Sequence, residues 1–121
     1  SAPETVPQRV DRAPKTLRRF ETTATADDNL LQAERNLLAR ARSALTRGQP
    51  EDALAALERH EHDFAAGRLV EEREALTVAV LVALDRRGEA AARAARFRER
   101  FPSSLFGPAI AAALASPGAD E

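Results

Sequence analysis

The sequence nearly repeats itself at an interval of 37 residues. Charged, small and aromatic residues recur at that interval, in the pairs Glu34 and Glu71, Ala41 and Val78, Leu45 and Val82, Ala53 and Ala90, and Phe64 and Phe101. Each copy has the pattern of a helix, a short turn and a second helix. Helix pairs of this length bury their apolar faces only by stacking on neighbouring pairs. The interval therefore predicts an all-α array of stacked helix pairs.

The composition favours helices with a thin core between them. Hydrophobic residues make up 44% of the 121 residues, yet only five are aromatic, and all five are Phe. Ala and Leu supply most of the remainder, and both are strong helix formers. Because Ala-lined faces bury little area per residue, we expect a core of modest stability.

Charge and residue usage narrow the classes of function. The net charge of −1 supplies no overall field that would draw the chain to nucleic acid or to a membrane. The absence of Cys excludes disulfides, thiolate metal sites and Cys nucleophiles. No apolar run reaches the roughly 18 residues that span a bilayer.

Three segments differ in composition. Residues 1–26 contain three prolines and an excess of basic residues without a helical period, which predicts a disordered tether. Residues 27–115 show helical periodicity and predict the folded domain, and residues 116–121 predict a disordered acidic tail. Because the chain begins abruptly at Ser1, we expect it to be a fragment of a longer protein.

Capping and breaking residues divide the predicted domain into five helices. From Ala75 to Leu84 every residue except Thr77 is apolar, so the third helix should be central. Pro102 stops the fourth helix, because its ring cannot continue the helical hydrogen bonds. The predicted spans run from Asp27 or Asp28 to Arg47, from Pro50 to a break at Gly67, from Leu69 to Asp85, from Gly88 to Arg100, and from Ser103 or Ser104 to Leu114.

Small and turn residues occur at matching positions in the two copies, Ala41, Gly48 and Ala53 in one and Val78, Ala90 and Pro102 in the other. In these residues and their spacing the chain resembles the tetratricopeptide repeat family. The interval of 37 residues, against the family's 34, implies a three-residue insertion, most simply in the His62–Arg68 loop. The chain departs from the family where Leu37 and Glu74 replace a large aromatic residue and where Asp85 replaces a Gly.

The resemblance covers about residues 30–115 and implies an architecture. It implies a right-handed α-solenoid of about five antiparallel helices, formed by two degenerate repeats and a solvating cap made by the fifth helix. The Phe101-Pro102-Ser103-Ser104 segment is similar to repeats of bacterial envelope proteins, such as outer-membrane assembly lipoproteins and Tol–Pal coordinators. That similarity implies the periplasmic side of the bacterial envelope, with membrane attachment only through a segment missing from this chain.

The resemblance also implies a partner-binding groove lined by the first helix of each repeat. One end of the groove would be charged and the other apolar, which suits an amphipathic helix or an extended peptide. Alternatively, the Leu17–Phe20 segment or a second copy of the chain covers the apolar half. The implied groove residues are Arg35, Leu38, Arg42, Leu45 and Thr46, followed by Glu72, Ala75, Ala79, Val82 and Ala83.

Two histidines raise the question of a metal site. His60 and His62 are two residues apart, so they point to nearly opposite sides of a helix and cannot bind one ion together. Glu58 and His62 have the spacing of a helical ligand pair, but further ligands are not evident. We therefore predict no metal, with one His packed in the core and the other exposed near a helix C-terminus.

A basic stripe runs along the predicted fourth helix at Arg93, Arg96 and Arg100. It could bind acidic protein or a phosphate backbone. However, no aromatic residues alternate with it, and Glu89 has the spacing to pair with Arg93. A solvated Arg face is the interpretation that we favour over a nucleic-acid site.

No pattern of catalytic residues is present. The chain lacks a Gly-rich phosphate loop and a nucleophile elbow, and the acidic residues around Glu71 diverge around the helix axis. We predict a non-enzymatic protein-binding or scaffold module without cofactors. The alternatives are a homodimerisation domain, in which the apolar half of the third helix packs against its own copy, and a regulatory domain of a transcription- or sigma-factor-linked protein.

Overall fold

The computed structural model describes the backbone of residues 15–117 and the side chains of residues 25–117. Within that part the chain is all-α, as predicted, and contains no strand. The helices are α1 (Lys15–Thr46), α2 (Pro50–Asp63), α3 (Val70–Ala83), α4 (Arg87–Arg100) and α5 (Gly107–Ala115). Residues 1–14 of the predicted tether (1–26) and residues 118–121 of the predicted tail (116–121) lie outside the described residues.

The first helix is longer than predicted. It begins at Lys15, whereas the sequence pattern placed its start at Asp27 or Asp28. No Pro or Gly lies between Pro14 and Gly48, so nothing in that stretch interrupts the helical hydrogen bonds. The absence of helix breakers was therefore a better guide to the start of α1 than the absence of an apolar period.

The chain divides into two compact units, residues 1–30 and residues 31–121. In the first unit, the side chains of residues 25–30 are exposed, including that of Leu30. The second unit contains the rest of α1 and all of α2 to α5. All of the packing described below belongs to this second unit.

Helix α3 lies at the centre of the second unit. It contacts α2, α4 and α5. Every residue from Val70 to Val82 is buried or half-buried, and only Ala83 is exposed. This confirms the prediction that a helix with apolar residues on all sides is central.

Two clusters of buried residues form the core. The first joins α1 and α2, with Leu38, Ala44 and Leu57 among its members, and includes Val80 of α3. The second joins α3, α4 and α5 and includes Val78, Phe97 and Ile110. Helix α3 contributes to both clusters, so it connects the packing of the first copy to that of the second.

The backbone repeats with the same interval as the sequence. Gly48 after α1 and Asp85 after α3 both have left-handed φ angles, 77° and 61°. The next residue donates to an equivalent carbonyl in each turn, Gln49 to Ala44 and Arg86 to Leu81, both at 2.8 Å. A Gly adopts this conformation without steric cost, whereas Asp85 is one of the few residue types that tolerate it. Asp85 therefore forms the same turn as Gly48.

The ends of α2 and α4 are also equivalent. The Phe64 N–H donates to the His60 carbonyl, and the Phe101 N–H donates to the Phe97 carbonyl, both at 2.7 Å. The side-chain rings contact each other in similar tilted arrangements, with centroids 5.5 Å apart for His60 and Phe64 and 5.2 Å apart for Phe97 and Phe101. The next helix, α3 or α5, begins at the equivalent position after each pair.

Helix α5 differs from the predicted cap. It starts at Gly107 with Phe106 as N-cap, later than the predicted caps at Ser103 or Ser104. Terminal helices of repeat arrays have polar outer faces, but the exposed residues within α5 are alanines and Pro108. Leu105 precedes this helix and is 93% exposed.

Candidate interaction surface

The charged members of the predicted groove lie on adjacent helices and contact each other. Arg35 and Arg42 of α1 are exposed, and Glu72 of α3 is half-buried. Arg42 donates through Nη1 to the Glu72 carboxylate and forms a salt bridge with it. The two helices therefore present opposite charges to one surface, and Arg35 adds a further cation on α1.

The apolar members of the predicted groove are less available than expected. Leu38 is 1% exposed and belongs to the first core cluster. The prediction that it lies on the groove surface is therefore wrong. Val82 is likewise buried, in the second cluster. Both side chains fill space between helices, because the first helix of each copy packs on its neighbours with the face that carries them.

The remaining predicted residues are half-buried or exposed. Leu45 is half-buried against the first cluster, and Ala75 is half-buried against the second. Ala79 is half-buried as well, whereas Thr46 and Ala83 are exposed. The candidate interaction surface is therefore defined here as Arg35, Arg42, Leu45, Glu72, Ala75 and Ala79.

A buried carboxylate joins α1 to α2 and to the start of α3. Glu34 is 4% exposed, and its Oε1 lies 3.0 Å from His60 Nε2. Its Oε1 also accepts the Leu69 N–H and its Oε2 accepts the Arg68 N–H, both at 3.2 Å. Leu69 is the N-cap of α3, so the carboxylate satisfies backbone donors at a helix N-terminus, where the macrodipole favours negative charge.

Gly67 makes room for this carboxylate. A Cβ atom at Gly67 would lie 2.2 Å from Glu34 Oε1, far inside van der Waals contact. The Glu34 side chain is flexible in principle, but moving it would break its hydrogen bonds to His60, Arg68 and Leu69. The loop before α3 therefore requires a residue without a side chain at this position.

A second buried charge, Arg73, lies on the other side of the His60 ring. Arg73 Nη1 is 3.4 Å from His60 Nδ1. Because a guanidinium only donates hydrogen bonds, His60 Nδ1 must accept, and Nε2 carries the proton donated to Glu34. The ring therefore lies between the buried Glu34 carboxylate and the buried Arg73 guanidinium and contacts both.

Glu74 extends this network to α4. Its carboxylate accepts hydrogen bonds from Arg73 Nε and Nη2 at 3.1 and 2.9 Å. It also accepts from Arg93 Nη1 of α4 at 3.1 Å. The side-chain polar atoms that are buried in the described part of the chain all have partners.

The two histidines occupy the two environments expected from the sequence. His60 is fully buried and His62 is exposed near the end of α2. The hydrogen bond from His62, with a second from Arg59, holds the pKa of Asp63 below its ordinary value. Among the residues with described side chains, no three His, Asp or Glu side chains come together as metal ligands.

The basic stripe on α4 is only partly compensated. Arg93 pairs with Glu74 and lies 3.9 Å from Glu61. Glu89 pairs with Arg86 rather than with the expected Arg93, and this hydrogen bond lowers the pKa of Glu89. Arg96 and Arg100 have no carboxylate partner among the residues with described side chains. Two excess cations therefore remain on this face.

The sequence interpretation missed that Glu34 and Arg73 are buried. Glu34 was noted only as a repeated charged position, although it lies four and seven residues before Leu38 and Ala41, on the apolar stripe. Arg73 lies four residues before Thr77 on the inner side of α3 and is buried as well. A charged residue in register with an apolar stripe was the signal that could have found both.

Within the described part of the chain, no helix is long and apolar enough to cross a membrane. Comparison of the chain with models of protein families, with curated proteins and with solved structures found no match.

Proposed function

We propose that this chain is a non-enzymatic protein-binding module, built as a right-handed stack of antiparallel helices of the tetratricopeptide type. The salt bridge between Arg42 and Glu72 carries the proposal, because it brings side chains from the first helix of each copy to one exposed surface. The equivalent turns at Gly48 and Asp85 support a repeat architecture.

The charges of the candidate interaction surface determine how a partner segment lies on it. An acidic group of the partner binds Arg35, which is exposed on α1 seven residues before Arg42. Apolar groups of the partner contact the half-buried Leu45, Ala75 and Ala79. Because the apolar area is small, affinity depends on a few contacts, and the charged groups supply orientation and specificity.

A charge exchange tests this proposal. The variant Arg42→Glu/Glu72→Arg keeps a salt bridge between α1 and α3 but reverses its polarity. Partners captured from a bacterial extract by the 121-residue chain and identified by mass spectrometry should be lost with this variant. They should be retained with Arg98→Glu, which changes an exposed residue elsewhere. Capture of the same proteins by all three chains would contradict the proposed surface.

Self-association is a second candidate function, and one observation favours it. Leu105 is almost fully exposed and precedes α5, whose exposed surface within the helix consists of alanines and Pro108. The other mode of pairing, through the apolar half of α3, is not favoured because α2, α4 and α5 contact that helix. Light scattering over a wide concentration range decides between self-association and a foreign partner: a dimer that Leu105→Glu disrupts would indicate self-association, and a monomer would favour a foreign partner.

A further inference from the structure

A cavity of about 240 Å³ lies where α2, α3 and α4 meet, beside the last turns of α4. Guanidiniums outnumber carboxylates in its lining. The carboxylates are those of Glu61 and Glu74, and the guanidiniums are those of Arg73, Arg93, Arg96 and Arg100. The cavity is therefore positively charged, although the whole chain has a net charge of −1.

The carboxylates of this cavity already have partners. Glu74 binds both Arg73 and Arg93, and Glu61 lies 3.9 Å from Arg93 Nη1. Neither acid is paired with Arg96 or Arg100, and no other described acidic side chain is. The two excess charges of the cavity are therefore the guanidiniums of Arg96 and Arg100.

These guanidiniums repel one another along α4. Arg93 and Arg96 are three residues apart, and Arg96 and Arg100 are four apart, so all three side chains share one helix face. Like charges at these spacings destabilise a helix. An anion bound between Arg96 and Arg100 would remove that repulsion, which a neutral ligand would not do.

The cavity also has an aromatic wall that orients one of the cations. Arg100 Cζ lies 5.0 Å from the centre of the Phe101 ring. The Phe101 ring packs against the buried Phe97. A guanidinium held over a ring loses less conformational freedom when it binds an anion. The half-buried Phe101 also offers apolar contact next to the charge.

We propose that this cavity binds the carboxylate of an acidic peptide segment from a partner protein, with an apolar residue beside the acidic one. Arg96 and Arg100 donate to the carboxylate, and the apolar neighbour contacts Phe101. A nucleic-acid strand fits less well, because its successive phosphates would meet Glu61 and Glu74 in the same cavity and Glu58 and Glu89 in the adjoining one. The site shares no residue with the candidate interaction surface and does not depend on it.

NMR of the 121-residue chain tests the proposal. The probe is an acetylated and amidated hexapeptide of alternating leucine and glutamate, and the signals followed are the arginine Nε–H groups. The Arg96 and Arg100 signals should shift, and the same peptide with glutamine should bind at least tenfold more weakly. The variant Arg96→Gln/Arg100→Gln should lose at least tenfold in affinity, and Arg98→Gln should bind as the unchanged chain does.

Several outcomes would overturn the proposal. Equal binding of the glutamine peptide would show that the carboxylate is not recognised, and unchanged binding by the double variant would place the site elsewhere. Tighter binding of a single-stranded oligothymidylate through Arg96 and Arg100 would assign the site to nucleic acid. Both arginines are exposed and their like charges repel, so the double variant should unfold at no lower temperature than the unchanged chain. Arg42→Glu should leave peptide binding unchanged, which separates this site from the proposed function.

Discussion

The junction that precedes α3 and the equivalent junction that precedes α5 have the same backbone but different chemistry. In the first, His60 and Arg73 are buried together with Glu34. In the second, the equivalent positions 37 residues later hold Phe97 and Ile110, which are buried in an apolar cluster. One repeat backbone therefore accepts either a charged network or an apolar core at the same place.

The two junctions also satisfy equivalent backbone donors in different ways. The Leu69 N–H donates to Glu34, which is 35 residues away in sequence. The equivalent Phe106 N–H donates to Ser104 Oγ, two residues away, at 3.0 Å. Ser104 stands where the first junction has Gly67. The first junction thus depends on residues from three helices, whereas the second satisfies this donor within two residues.

Removal of the buried Glu34 carboxylate should produce the largest difference in stability between the two junctions. Glu34→Ala leaves His60 and two backbone N–H groups without their acceptor, so we expect the free energy of unfolding to fall by about 3 kcal/mol. Glu71→Ala, at the equivalent position, should cost under about 1 kcal/mol, the size of a dipole interaction in a first helical turn. Urea unfolding of both variants measures this difference, and equal costs would mean that the two junctions do not differ.

The substitution Gly67→Ala should cause a smaller loss in the free energy of unfolding. The added Cβ displaces the Glu34 carboxylate and weakens its hydrogen bonds, so we expect a cost of about 2 kcal/mol. Gly88→Ala is the matched control, because a Cβ at Gly88, in the first turn of α4, would meet no atom of the described residues within 4 Å. That control should raise the free energy of unfolding by about 0.5 kcal/mol. If Gly88→Ala lowered the free energy of unfolding as much as Gly67→Ala does, the proposed role of Gly67 would be wrong.

Converting one junction into the other should show coupling. His60→Phe places at the first junction the residue that the second already holds, and it should cost about 1–2 kcal/mol because Glu34 loses a donor. The double variant Glu34→Ala/His60→Phe has no carboxylate left to lose its donor. Its cost in unfolding free energy should therefore be about 1 kcal/mol less than the sum of the two single costs. Strict additivity in thermal or urea unfolding would indicate that Glu34 and His60 act independently.

The smallest expected difference in stability lies between the starts of α2 and α4. Arg86 and Glu89 pair at the start of α4, where α2 has Gln49 and Asp52. Because the hydrogen bond from Arg86 lowers the pKa of Glu89, this pair stabilises the fold above the unfolded-state pKa of Glu89. The stabilisation is lost as pH falls through the lower, folded-state pKa. Carboxyl NMR should show the Glu89 pKa rising toward its ordinary value in Arg86→Gln, and no change would contradict the pairing.

The sequence predicted much of the fold because turn and helix-breaking residues separate most of the helices. Pro50, Pro102 and the turn at Gly48 placed the helix boundaries within a few residues, and the apolar run in α3 indicated its central position. The start of α1 and the nature of α5 were missed. Local patterns do not show whether a helix continues without an apolar stripe or what surrounds an alanine-rich helix.

The candidate surface was harder to predict for a different reason. Arg42 and Glu72 were named because they lie on the first helices of the two copies, and the structure brings them into contact. Leu38 was also named, but it is buried, since a periodic pattern marks a helix face without showing which neighbour covers it. The partners of Glu34 are separated from it by 26 to 35 residues, so only the tertiary structure could show them.

Because of the Glu34 carboxylate, the hydrogen exchange of two amide protons also measures how often α1 separates from the start of α3. The Arg68 and Leu69 N–H groups donate to a side chain on α1, so they exchange with solvent deuterium only when that carboxylate withdraws from the start of α3. The Phe106 N–H needs only a local rearrangement of Ser104 to exchange. Exchange at the first junction thus follows the separation of helices, whereas exchange at the second follows fraying of a single turn.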